Sequence, residues 1–360
     1  MIQTGYITDV SGLFVGHYTD TLGGTGVTAV LTPQGAVPGI YIAGYGPATC
    51  ETDIINERSA ISCAHAVVLS GGSAMGLSAS HGVREWLREN GYGLKIQSGQ
   101  HKVVIPIVPQ ANIFDLFPIG RPDVYPEKEQ GYAAAQAAVS GAFLVGNVGV
   151  GTGSTSGKFL GSDFSTKTGL GTASVTDGKI IVGALCVTNA IGNILHPLTR
   201  EILAGARNES CEYVRFEREL HDKGILPDRI HTTLTVLATN ATLTKGQATR
   251  LARDAGEKAY RSCIEPCMTK KDGDTIFALS LGSEEVDEAS FGKLISLAAE
   301  AIVQSILCSV SSATSVGQIP SAYDVIPTMR QSPIFQPMQA SSASNISVMS
   351  AGQCFSPIFI

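Results

Sequence analysis

Apolar positions along the chain follow two periods. Residues 27–31, 39–43 and 65–69 are short runs rich in β-branched and other apolar side chains and predict strands. The third leads into Ser70-Gly71-Gly72-Ser73, and beyond that turn the spacing becomes helical. Ala79, Val83, Trp86 and Leu87 share one face, and Asn90-Gly91 supplies a C-cap signal. Residues 103–108 are apolar but contain Pro106, with Pro109 directly behind, so they predict an edge strand or an extended segment. An alanine-rich helix is predicted over 132–139 and strands over 170–175 and 179–187. Residues 197–231 are polar and irregular, with Glu217-Arg218-Glu219 and Leu226-Pro227-Asp228, and read as an exposed connector. A new strand is predicted from Thr232 to residue 239. A helix follows from Thr244, which makes a capping box with Gln247 and carries Leu251, Ala255, Ala259 and Cys263 on one face. A strand over 275–281 and a helix over 291–307 complete the core. From about 327 onward the chain is rich in Ser, Gln and Pro without a period, and reads as a flexible tail.

Composition narrows the class. The 360 residues are 44% hydrophobic and 16% charged, enough for a large core in one big domain or two. The 40 glycines have no three-residue period and suit many tight turns and close backbone approaches. With a net charge of −6 and no large basic block, neither nucleic acid nor an anionic membrane is indicated as a partner. The first ten residues lack the basic and apolar regions of a secretion signal. No uninterrupted apolar run of ~18 residues occurs, so no membrane span is expected. The eight cysteines are scattered without a C-x-x-C pair; Cys263 and Cys267 are four apart with no histidine at a zinc-site spacing. Reduced thiols in a cytoplasmic protein without a metal or other cofactor are the expectation.

Two glycine-rich segments are candidates for chemistry. Residues 149–158 end in Gly157-Lys158 and superficially suggest a phosphate loop. However, Thr152 stands where such a loop needs glycine, and Phe159 where it needs Ser or Thr. The segment reads as a flexible, hydroxyl-rich turn, and Lys158 as either a solvated surface lysine or a charge brought to a ligand. Residues 70–76 link a strand to a helix. They either present main-chain N–H groups to an anion or simply allow close packing.

Several segments in order are similar to the DmpA and β-aminopeptidase family of N-terminal-nucleophile hydrolases, which includes the nylon-oligomer hydrolases. They are Ile7-Thr8-Asp9-Val10, Val15-Gly16-His17, Glu51-Thr52-Asp53, Leu69 to Ala74, Ile107-Val108-Pro109, Ile113 to Leu116, Gly146 to Gly149 with Gly157-Lys158, Val187 to Gly192, Thr232-Thr233-Leu234, Ala238-Thr239-Asn240 and Asp272 to Thr275. The resemblance spans roughly residues 6–326.

The resemblance implies a four-layer α/β/β/α sandwich, one domain built from two chains produced by self-cleavage before Thr232. Residues 1–231 would be the α chain and 232–326 the β chain, with 327–360 as the tail. It implies Thr232 as nucleophile, activated by its own α-amino group, whose ordinary pKa is about 7.7–8.0. Lys158 matches a lysine near the nucleophile, Asn189 an oxyanion-binding asparagine, and Asp272 and Asp274 the acidic positions that orient the amine and hydroxyl. Without the resemblance, Asp272-Gly273 would read as a hairpin turn and Asn189 as a turn residue after a strand. The implied substrate is a small peptide or amide, and the implied assembly a homo-oligomer, a tetramer of αβ units. Two positions depart from the pattern. His231 precedes the nucleophile where many relatives have Asn, and Phe114 stands where nylon-type relatives carry an oxyanion-hole tyrosine. An acyltransferase resembling ornithine acetyltransferase and an uncleaved, non-catalytic member are the alternatives. Asp115 could line the pocket or serve as a turn residue.

Overall fold

The computed structural model describes residues 5–216 and 231–327, together with the backbone of 347–348. In chain order its main strands are β1 (Phe14–Asp20), β2 (Thr25–Ile42), β3 (Ala64–Ser70), β4 (Gln110–Asn112), β5 (Leu170–Thr176), β6 (Ile181–Val187), β7 (Leu234–Thr242) and β8 (Thr275–Glu285). The first half of β2 lies between β1 and β3, antiparallel to both, and β4 runs parallel to β3. The second sheet runs β5-β6-β7-β8, and β8 pairs with residues 37–42 of β2. The two strands expected over 27–31 and 39–43 are therefore one. Its register shifts between Leu31 and Ala36, around Gly35 at φ +86°, where the strand passes from one sheet to the other.

Alternation builds the layers. In β2, Ala29 and Leu31 face the helices α1 (Ala79–Glu89) and α2 (Lys128–Gln136), while Val30 faces the opposite way. In β6, Ala184 and Cys186 face α3 (Lys245–Cys263) and α4 (Glu288–Ser311), while Leu185 and Val187 face inward. Val15, Val30, Val67, Leu69, Leu185, Val187, Leu234, Val236 and Phe277 fill the space between the sheets. The result is the four-layer α/β/β/α sandwich. Both faces of each sheet are covered, so the central strands read as continuous apolar runs. Val187 and Leu234, on opposite sides of the His231–Thr232 bond, share the inner core.

The helices start where their caps place them. Thr244 Oγ1 accepts from Gln247 N (3.3 Å) while Gln247 Oε1 accepts from Thr244 N (2.9 Å), closing the capping box of α3. α4 begins three residues before its expected start, where Asp287 accepts from Ser290 N at 2.8 Å. Among the described residues α4 is the one helix long and apolar enough to cross a membrane. Here it is a layer of the sandwich, with Phe291, Leu294, Ile302 and Ile306 in the core beneath it.

One expectation is corrected. Ile202–Ala204 is a buried strand paired with Asn193–Leu195, and Arg207 is buried with its guanidinium on the carbonyls of Ser165 (2.9 Å) and Asp163 (3.0 Å). Residues 202–207 are thus core; an arginine that satisfies buried carbonyls looks like a surface residue in sequence. The polar motifs at 217–219 and 226–228 lie outside the described residues. So does the expected tail, apart from residue 327 and Ser347–Val348, which pairs with Val139–Ser140.

Candidate active site

The parallel pairing of β7 with β8, in register Leu234↔Thr275, lays residues 231–233 beside 271–275. Regular strand starts at Leu234, so Thr232 lies just ahead of it and not inside it. The main chain here is held at every step. His231 N–H donates to Lys271 O (2.9 Å), and His231 O accepts from Gly273 N–H (2.6 Å). Thr233 N–H donates to Asp274 Oδ1 (2.7 Å), and Thr233 O accepts from Thr275 N–H (3.2 Å). On the other side Thr232 N–H donates to Asn189 O at 3.3 Å. Thr232 is buried. A Cβ on Gly273 would meet both Thr232 Oγ1 and Gly46 O at 2.7 Å, so this position is glycine because the hydroxyl occupies the space.

Lys158 and Asn189 are 31 residues apart and meet through the main chain. Gly157 N–H donates to Gly192 O (2.9 Å) and Lys158 N–H to Ile191 O (2.8 Å). Gly157, at φ +79°, allows this approach, since a Cβ would sit 1.9 Å from Ala206 N. Residues 149–159 are all buried, so this stretch is a packed wall and not a flexible turn. Lys158 Nζ donates to Asn189 O (3.0 Å) and also to Asn189 Oδ1. Asn189 O therefore accepts from both the Lys158 ammonium and the Thr232 nitrogen. Asn189 Oδ1 further accepts from Thr155 N–H (3.2 Å), and Asn189 Nδ2 donates to Phe114 O at 3.0 Å. The Phe114 ring packs edge-on against Phe117, with centroids 4.8 Å apart.

Burial dominates the electrostatics. It pushes Lys158 well below the usual lysine range, although the charges of Asp115 and Asp272 oppose it. Burial pushes Asp272 up to about 6, against hydrogen bonds from Thr269 and the charge of Lys158. Asp274 is pushed well above the carboxylate range, first by burial and then by the charge of Asp272. Neither carboxylate bonds the Thr232 hydroxyl in the intact chain. Asp274 holds Thr233 N–H and Met268 N–H (3.0 Å), and Asp272 holds Thr269 N–H (2.8 Å).

The glycine turn after β3 does present an N–H to an anion, but the anion is internal. Gly72 N–H donates to Asp115 Oδ1 and Thr25 Oγ1 to Asp115 Oδ2, both at 2.7 Å, and burial pushes this carboxyl to about 6. Two neighbours carried no signal in the sequence. Lys167 is fully buried, with Nζ on Gly151 O (2.9 Å), and burial lowers it to about 7. Thr155, also fully buried, has a hydroxyl with no hydrogen-bond partner among the described residues. Both sit among Ser, Thr and Gly residues that look like surface. Among the described residues no group of three His, Cys, Asp or Glu side chains is placed to hold a metal.

The sequence profile of Peptidase family S58 matches residues 5–321. The chain belongs to Peptidase family S58. An uncharacterized aminopeptidase of Mycobacterium tuberculosis (strain ATCC 25618 / H37Rv) is 36% identical over 350 residues, covering 89% of this chain and 98% of the relative. The 6-aminohexanoate-oligomer endohydrolase of Paenarthrobacter ureafaciens is 28% identical over 286 residues, 78% of this chain and 75% of that enzyme. Among solved structures, the L-aminopeptidase D-Ala-esterase/amidase of Ochrobactrum anthropi, described as a variant of the Ntn hydrolase fold, superposes with a TM-score of 0.69. It is 18% identical, and the match covers 92% of this chain and 96% of that one. A β-aminopeptidase of Burkholderia sp. gives a TM-score of 0.63 at 20% identity, covering 92% of this chain and 96% of that one. As an S58 member the chain is a hydrolase of peptide or amide bonds, and its sandwich is the Ntn-hydrolase fold of these aminopeptidases.

Proposed function

We propose that the chain is an inactive precursor that cuts its own His231–Thr232 bond and then hydrolyses small peptides or amides with Thr232. The observation that carries this reading is Asn189 O, which accepts from both Thr232 N and Lys158 Nζ. In the intact chain that nitrogen is an amide and cannot take a proton. After cleavage it is an amine that shares Asn189 O with Lys158; burial in this site and any positive charge that Lys158 keeps both favour its neutral, basic form. The amine then takes the proton from Thr232 Oγ1 as the oxygen attacks the substrate carbonyl. Asn189 Nδ2, with one N–H on Phe114 O and a second to offer, is the side-chain donor for the resulting oxyanion. Asp272 and Asp274 hold the strand ends on which Thr232 sits and set the local charge.

Burial supports the precursor reading: Thr232, Lys158, Asn189, Asp272 and Asp274 are each at most 2% exposed, so the uncut site is closed to substrate. Phe114, whose carbonyl accepts from Asn189 Nδ2, is half-buried and its ring packs edge-on against the exposed Phe117, an apolar pair near the site that suits uncharged acyl groups. For assembly, the hairpin Leu94–Ser98/His101–Ile105 pairs Ile96 with Val103 and leaves both about half exposed, an apolar patch that supports a homo-oligomer, a tetramer of processed units. Intact mass with N-terminal sequencing tests the central claim. Fragments ending at His231 and beginning Thr-Thr-Leu-Thr are expected; a chain that stays whole yet hydrolyses amides would overturn it.

A further inference from the structure

We propose that the main-chain N–H of Gly273 holds the oxygen that turns negative during self-cleavage, so that precursor processing has its own oxyanion donor, separate from Asn189. This inference rests on the self-processing reading above. The scissile carbonyl is that of His231, and its oxygen already accepts from Gly273 N–H at 2.6 Å. Thr232 Oγ1, the attacking atom, lies against Gly273 on the space a Cβ would fill. One residue thus supplies the donor to the carbonyl and the room for the nucleophile.

Asn189 touches this peptide only through its carbonyl, which accepts from Thr232 N–H, and an acceptor cannot stabilise an oxyanion. The amide side chain of Asn189 is turned to Phe114 O, Lys158 and Thr155 N–H.

The Gly273 donor is also immobilised. The flanking Asp272 N–H donates to Thr269 O (3.1 Å), Asp272 O accepts from Gly46 N–H (2.9 Å), and Asp274 O accepts from Ala43 N–H (2.8 Å). A preorganised donor of this kind needs no rearrangement as charge develops.

The step balances without a co-reactant. The Thr232 Oγ1–C bond to the His231 carbonyl forms and negative charge builds on His231 O against Gly273 N–H. The C–N bond then breaks, and the hydroxyl proton ends on the Thr232 nitrogen. Water hydrolyses the resulting ester, leaving the His231 carboxylate and a free Thr232 amine.

The test replaces Gly273 by glycolic acid in the full-length chain through nonsense suppression, which turns the N–H into an ester oxygen and adds no bulk. Cleavage is followed by mass spectrometry at a temperature where circular dichroism shows both chains folded. Slowing of about 100-fold or more is expected, the usual effect of losing one oxyanion donor. A folded ester variant that cleaves at the wild-type rate overturns the assignment and leaves self-processing intact; a wild-type chain that never cleaves overturns the self-processing reading itself. A second readout avoids turnover. In an uncleavable Thr232→Ala precursor carrying 13C=O histidine, the His231 carbonyl stretch should move to higher frequency when Gly273 becomes the ester. An unmoved band counts against the donor.

Discussion

The segment His231–Thr233 lies between two flanks that handle buried charge in opposite ways. On one, Asp272 and Asp274 stand a residue apart and grip the main chain of 233, 268 and 269, their carboxyls pushed towards the protonated form. On the other, Lys158 and Lys167 are buried against carbonyl oxygens and pushed towards the neutral form. The acidic flank positions backbone; on the basic flank Lys158 reaches the Thr232 nitrogen through Asn189 O, the nitrogen that the proposed cleavage would turn into an amine. The difference teaches that one closed site can fix backbone geometry with carboxyls on one side and bring buried amines to carbonyl oxygens on the other.

The largest expected effect tests what both flanks serve. Thr232→Ala should abolish cleavage and hydrolysis together, read by mass and by amidase assay, and a processed, active variant would break the whole scheme. Next, Lys158→Met should cut hydrolysis by the processed enzyme by roughly 100- to 1,000-fold, the scale of a lost electrostatic contact at the reacting centre. Lys158→Arg should not restore it, because the ammonium is only 2% exposed and held between two oxygens of Asn189, with no room for a planar fork. Full activity in Lys158→Met would erase the distinction between the flanks.

Stability against pH sharpens the comparison at lower amplitude. Asp115 has a folded pKa raised to about 6 from 3.8, so protonation stabilises the fold below the unfolded value, and that gain is lost as pH rises through 6. Lys167 has a folded pKa lowered to about 7 from 10.5, so its stabilising effect is present above the unfolded value and lost as pH falls through 7. The stability of Asp115→Asn relative to wild type, read from thermal melts, should therefore improve from pH 4 to 7, by on the order of 2–3 kcal/mol at most. That of Lys167→Met should improve as pH falls from 10 to 7. Parallel trends in the two variants would contradict the opposed polarity. The smallest effect concerns Thr155. Removing a buried hydroxyl that has no partner among the described residues should leave Thr155→Val as stable as wild type, or up to about 1–3 kcal/mol more stable by thermal melts. A clear loss of stability would show that the hydroxyl is satisfied after all.

How much was legible varies with the range of the interaction. α1 and α3 were readable because a 3.6-residue apolar period and local caps report on themselves. The unity of β2 was not: Gly35 and two prolines, Pro33 and Pro38, interrupt the run, and only pairing with two sheets shows that the strand continues. Thr232, Lys158, Asn189, Asp272 and Asp274 were named through the ordered motifs. The structure brings Thr232, Lys158 and Asn189 into a chain of hydrogen bonds and sets the two aspartates on the neighbouring backbone.

By itself the sequence determined the alternation that makes two sheets with two covered faces, the capped helices that cover them, and the residue types from which the chemistry is drawn. Those are local properties, set by side-chain size, polarity and spacing. Only the tertiary structure decided that Lys167 is core, that Asp115 is the anion bound by the Gly72 turn, and that Gly273 N–H meets the carbonyl of His231. These contacts join residues 16 to 43 positions apart through main-chain atoms, which every residue carries, so no pattern of side chains announces them.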